Sequence, residues 1–206
     1  MSKNIFRAIA VTTLVVFSVF SQAQAKDYVE GKDYKVVSQN RLVEPEIREF
    51  FSFFCSHCVA MDKFFQDLAT EYAPQAKWVY NPVGVIGGEI GVESQKAYAV
   101  ALNHGLQSEL KAELFDLIHK KQKMPEDHEF FVKVLNDIGI PSETAEQDYA
   151  SFVTQAKVAE YDKKCSDYGI EAVPEIVVNG KYLVITDNLD SAEDYKHLID
   201  YLLTLK

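Results

Sequence analysis

The feature that most restricts this chain is Cys55-Ser56-His57-Cys58, placed where one hydrophobic period gives way to another. Before it, Ile47–Phe54 is an aromatic run with apolar residues on both faces, which predicts a central strand covered on each side. After it, Met61, Phe64, Phe65, Leu68 and Tyr72 recur at helical spacing until Pro74. Lys77–Val83 reads as a second core strand, so strand, helix and strand make a right-handed crossover. The two cysteines therefore sit at a strand-to-helix joint, about one turn apart on the same helix face, where their sulfurs can meet without distorting the chain. A helix start turns unpaired N–H groups and the positive end of the dipole toward the first sulfur, which favours its thiolate. The dithiol gains that stabilisation and the disulfide does not. Each pKa unit is worth about 1.4 kcal/mol, or roughly 30 mV for a two-electron couple, so the pair should be oxidising. Cys55 is expected to form the mixed disulfide and Cys58, deeper in the helix, to resolve it. His57 between them can add a hydrogen bond or a positive charge.

Other uses of the pair fit less well. A staple closing so short a loop constrains the unfolded chain little. A zinc site wants four ligands, and no second Cys-x-x-Cys exists, so no metal is expected. Two further positions bear on the dithiol. Val173-Pro174 precedes a strand; a cis peptide there would bring the turn close to the cysteines and leave the Val173 backbone free to pair with an extended peptide, whereas a trans proline would simply start the strand. Glu49 lies within the aromatic strand, either as a proton carrier for Cys58 or at a wet strand end. Asp62, one turn beyond Cys58, reads as a solvated helix position.

Around this centre the pattern changes twice. From Glu89 it is helical, with helices expected at about 93–103, 107–121, 126–138 and 142–168, punctuated by Asn103-His104-Gly105, Met124-Pro125 and Gly139-Ile140-Pro141. Then two β-rich runs flank Asn179-Gly180, a strong hairpin signal, and an amphipathic helix at about 191–205 closes the chain. The expected fold class is thus α/β. At the other end, Lys3 and Arg7, an apolar run over 8–20 and Ala23-Gln24-Ala25 have the three-part layout of an export signal, with cleavage expected after Ala25. The apolar run is too short for a span. Thiols in an exported chain can be held oxidised, and three cysteines leave at least one unpaired within a monomer. Cys165, near the end of a long helix, reads as that buried core thiol. The net charge of −10 builds no basic face for nucleic acid.

Glu49-Phe50-Phe51-Ser52-Phe53-Phe54-Cys55-Ser56-His57-Cys58, together with Val173-Pro174 and Val178-Asn179-Gly180-Lys181-Tyr182, closely resembles the DsbA family of periplasmic thiol:disulfide interchange proteins, over essentially the whole exported chain. The resemblance implies a thioredoxin-like fold with an inserted all-helical domain: a thioredoxin-like part over 26–88, the insertion over 89–161 and the second thioredoxin-like part over 162–206. It implies a periplasmic oxidase that donates the Cys55–Cys58 disulfide to newly exported proteins with reduced cysteines. The mixed disulfide would form at Cys55 and be resolved by Cys58. No cofactor is implied beyond this redox-active disulfide, and reoxidation would come from a quinone-linked inner-membrane partner of the DsbB type. By position, His57 would stabilise the thiolate, Pro174 would be the cis-proline at a peptide-binding edge and Glu49 the buried acid. The family's commonest inner dipeptide is Pro-His; Ser56 replaces the proline. The rivals are a disulfide isomerase or reductase and a non-catalytic peptide-binding chaperone. About 20 residues before the first strands are too few for a dimerisation domain, so a monomer is expected.

Overall fold

The structure, a computed structural model, describes residues 27–187, 189 and 191–205. The expected leader, 1–25, lies outside them. Five strands form one mixed sheet: β1 (Tyr34–Val36), β2 (Glu46–Phe51), β3 (Lys77–Pro82), β4 (Glu175–Val178) and β5 (Tyr182–Val184), in the order β1-β5-β4-β2-β3. β2 pairs parallel with β3 across the crossover helix α1 (Ser56–Tyr72) and antiparallel with β4. Its central place explains its composition: from Ile47 to Phe51 every residue is buried, because both faces are covered. The expected strand stops at Phe51, and Ser52–Cys55 turn instead, the Cys55 N–H donating to the Ser52 carbonyl at 3.2 Å. The Asn179-Gly180 signal is a hairpin turn between β4 and β5, with both residues at positive φ.

Between β3 and β4 run α2 (Glu89–Asn103), α3 (Gln107–Phe115), α4 (His128–Asp137), α5 (Ser142–Tyr149) and α6 (Phe152–Tyr168); α7 (Ala192–Thr204) closes the chain. Two helical expectations need correcting. The helix expected over 142–168 is two helices, because the Ser151 hydroxyl caps a new N-terminus by accepting the Thr154 N–H. The helix expected over 107–121 ends its α-winding at Phe115 and continues as a π-helical turn, Asp116–Lys120. The boundary expected between 161 and 162 falls inside α6, which is unbroken there.

Three apolar clusters fix how these elements meet. Ile47, Phe65, Leu68, Tyr72, Ile176, Leu198 and Leu202 join α1 and α7 to one sheet face. Phe50, Tyr168, Val177 and Leu183 join the end of α6 to the other. The third is shared: Phe51, Phe53 and Cys58 are buried with Tyr98, Leu110, Leu114, Phe115 and Phe131 of the helical block. The strand-to-helix joint is thus embedded in the seam between sheet and helices. The loop before α2 also closes on it, since a side chain at Gly87 would strike the Phe54 ring. Among the described residues no helix is long and apolar enough to cross a membrane.

Candidate active site

Cys55 is the N-cap of α1, in extended backbone conformation, and its sulfur accepts the Cys58 N–H at 3.1 Å. A cap atom of this kind replaces the missing intrahelical partner of a first-turn donor, and the bond strengthens when the cap is an anion. The Cys55 thiol also donates to the Val173 carbonyl at 3.4 Å, across 118 residues of sequence. The Val173-Pro174 peptide is cis, as the family resemblance implied and the spacing alone left open. Cys55 is half-buried and Cys58 buried, and both are free thiols. Burial pushes the Cys58 thiol well up; Cys55 adds to the rise, the Ser52 backbone opposes it, and the Glu49 charge raises it further. The two sulfurs are thus unequal: one at the surface facing an N–H donor, the other held protonated inside.

His57 is exposed and, among the described residues, makes no hydrogen bond. It lines a groove of about 1040 Å³ with Met61, Phe64, Val173, Pro174 and Tyr195. The groove shares Val173 with the Cys55 contact and is lined largely by apolar side chains, the kind of concave surface that takes an extended chain.

Glu49 is only 1% exposed, which removes the wet strand end. Its carboxylate accepts from the Trp78 indole at 3.4 Å and pairs with Lys111 at 3.2 Å. Burial raises the carboxyl and Lys111 pulls it back, with a net rise. Lys111 is itself buried, lies 2.8 Å from Asp62, and sits over the Tyr80 ring at 4.2 Å and the Phe51 ring at 4.5 Å. Asp62 is therefore a buried-edge ion-pair partner, 16% exposed at its side chain, and not a solvated helix position. The sequence reading missed Lys111, although a signal existed: it falls on the apolar stripe of α3 with Leu110, Leu114 and Phe115. It also missed His119, whose Nε2 meets the Phe53 carbonyl at 2.8 Å. Cys165 is half-buried instead of fully buried, receives a long contact from the Asn81 amide at 3.7 Å, and is pushed up to about 11 by burial. Among the described residues no three His, Cys, Asp or Glu side chains gather to hold a metal ion.

Comparison with known proteins agrees with this geometry. The family model for the DSBA-like thioredoxin domain matches residues 46–197. The thiol:disulfide interchange protein DsbA of Dickeya dadantii (strain 3937) is 31% identical over 196 residues, covering 89% of this chain and 92% of that protein. The crystal structure of DsbA from Klebsiella pneumoniae superposes with a TM-score of 0.77 at 28% identity, covering 88% of this chain and 100% of that one. DsbA of Proteus mirabilis, solved with the non-covalently bound peptide PWATCDS, gives 0.77 at 25% identity over 87% of this chain and 100% of that one.

Proposed function

Since the chain belongs to the DSBA-like thioredoxin domain family and is a thiol:disulfide oxidoreductase, we propose that it works as an oxidase, with Cys55 as the attacked sulfur. A substrate thiolate attacks Cys55 Sγ of the Cys55–Cys58 disulfide; the S–S bond breaks and Cys58 leaves with the electron pair. Because burial disfavours a charged Cys58, the departing sulfur needs a proton, and Glu49, held above the ordinary carboxylate range, supplies it. A second substrate thiolate then attacks the substrate sulfur of the mixed disulfide and releases Cys55 as a thiolate that keeps the Cys58 N–H. Electron balance gives Cys58 its resolving role in the opposite direction: it attacks the mixed disulfide formed when the reduced protein is reoxidised.

The single observation that carries this reading is the inequality of the sulfurs, with Cys55 capping α1 in the half-exposed position and Cys58 buried behind it. His57 stands at the rim of the groove, two residues from Cys55, in the place of a thiolate stabiliser. Val173 and Pro174 offer the edge on which an extended substrate lies, a reading supported by the groove they line; that such proteins take peptides is supported by the non-covalent peptide complex of the Proteus mirabilis protein. The division into 26–88, 89–161 and 162–206, export to the periplasm, unfolded cysteine-bearing clients, a quinone-linked DsbB-type reoxidant and a monomeric state complete the proposal. Equilibration with glutathione buffers tests it. A potential well above that of thioredoxin, which is about −270 mV, is the expected result; one near that figure would make the protein a reductant. The Cys55→Ser variant should lose all peptide oxidation, and one that kept its activity would point to a chaperone.

A further inference from the structure

The turn that delivers Cys55 to the helix start is held from outside. In the Ser52–Cys55 turn the central peptide joins Phe53 to Phe54, and this is the unit that flips between the two common turn forms. Phe54 does not adopt positive φ, so the peptide keeps one orientation. Its N–H donates to the Ser52 hydroxyl at 3.2 Å. Its carbonyl meets His119 Nε2 at 2.8 Å, and because a carbonyl only accepts, Nε2 carries the hydrogen. Both polar ends of the unit are thereby fixed by side chains, one local and one 66 residues away in the helical block.

The same piece of chain also grips the Phe53 ring. Phe115, four residues before His119, lies 5.7 Å from it, and the Phe115 and His119 rings are 6.0 Å apart. The π-helical turn Asp116–Lys120 carries His119 to the carbonyl. The consequences reach both sulfurs. The turn sets the cap geometry in which Cys55 accepts the Cys58 N–H, and the Ser52 backbone addresses Cys58 directly.

We propose that His119 is a positioning residue for the thiol:disulfide reaction: by holding the Phe53 carbonyl it keeps the Cys55 turn in the form that aims the Cys58 N–H at the Cys55 sulfur. The inference rests on Cys55 being the reacting sulfur. A loosened turn weakens the N–H contact most where the sulfur is an anion, so the dithiol loses more than the disulfide.

The test is the equilibrium in which the protein disulfide and two glutathione thiols give the protein dithiol and glutathione disulfide. It is measured for the parent, His119→Ala and His119→Gln, with urea unfolding of both redox forms alongside. His119→Ala should move the equilibrium toward the protein disulfide by about fivefold, the worth of one net hydrogen bond. His119→Gln, whose amide can donate to the same carbonyl, should restore most of the parent value. An unchanged glutathione equilibrium with both redox forms equally destabilised would overturn the proposal, as would His119→Gln behaving like His119→Ala. Cys55→Ser run beside them separates the two levels: peptide oxidation surviving in it overturns the assignment of the reacting sulfur, whereas its loss together with an unmoved His119→Ala equilibrium overturns the role of His119 alone.

Discussion

Replacing Lys111 by Met takes away the cation wedged between Glu49 and Asp62, 3.2 and 2.8 Å from their oxygens. Loss of one partner from a buried pair costs ~3–5 kcal/mol, and the geometry divides that figure. The ammonium over the Tyr80 and Phe51 rings, at 4.2 and 4.5 Å, accounts for ~1–2 kcal/mol as a desolvated cation–π contact. This share is the same at every pH at which Lys111 is charged. The remaining ~2–3 kcal/mol is the attraction to ionised Glu49 within that total. Asp62 contributes less because its side chain stays partly hydrated.

Burial already raises Glu49, and Lys111 is the largest influence restraining it, so the variant raises it further. A carboxyl that titrates higher folded than unfolded binds extra protons in the folded state, and stability therefore falls as pH rises between the two values. The deficit of Lys111→Met should be ~1–2 kcal/mol near pH 4, where Glu49 is protonated, and should grow to ~3–5 kcal/mol by pH 8. Urea unfolding of parent and variant at pH 4, 6 and 8, at a common slope, measures it. The Glu49→Gln, Lys111→Met double variant should show little of the pH dependence. A deficit that stays flat from pH 4 to 8, or one that shrinks toward pH 8, would refute the reasoning.

Three other outcomes follow from the site and its surroundings. Under native conditions iodoacetamide should label Cys55 first, Cys165 slowly and Cys58 last, read by mass spectrometry of the digested protein; equal rates would contradict the burial order. Glu49→Gln should slow peptide oxidation by roughly ten- to a hundredfold, the range of a lost proton donor partly replaced by water, while Cys55→Ser abolishes it; stopped-flow rates decide, and an unaltered rate would remove Glu49 from the reaction. His128 is lowered by burial but raised overall by its bonds to Glu146 and Glu93. Its contribution should be fully present below the ordinary histidine range and fade as pH rises through the folded value. His128→Ala should therefore cost under about 1 kcal/mol at pH 5.5, the discount appropriate to a partly exposed pair, and still less at pH 9.

The chemistry of this chain is written where it is local. Cys55 and Cys58 announce themselves by three-residue spacing at a change of period, and Asn179-Gly180 by the positive φ that a tight hairpin demands. The seam is different in kind. Lys111 reaches Glu49 across 62 residues and His119 reaches Phe53 across 66, so neither contact has a spacing to detect. A lysine among leucines on α3 hints at a buried partner without saying which. The break at Ala150-Ser151 was hidden because helical periodicity continues on both sides, and only the Ser151 cap distinguishes two helices from one. Glu49 shows the same limit: its strand position was legible, but its burial depends on Trp78 and Lys111 arriving from elsewhere.

The π-helical turn at Asp116–Lys120 makes the link between the two halves of the molecule a matter of winding as well as of residue type. Its i→i+5 bonds open a wider turn than the α-helix before it, so each residue advances less around the axis. Were the same residues wound as α-helix, at about 3.6 per turn, they would carry His119 further around that axis. The imidazole would then swing off the Phe53 carbonyl with its chemistry intact. The form of this one turn is thus under the same constraint as the histidine itself.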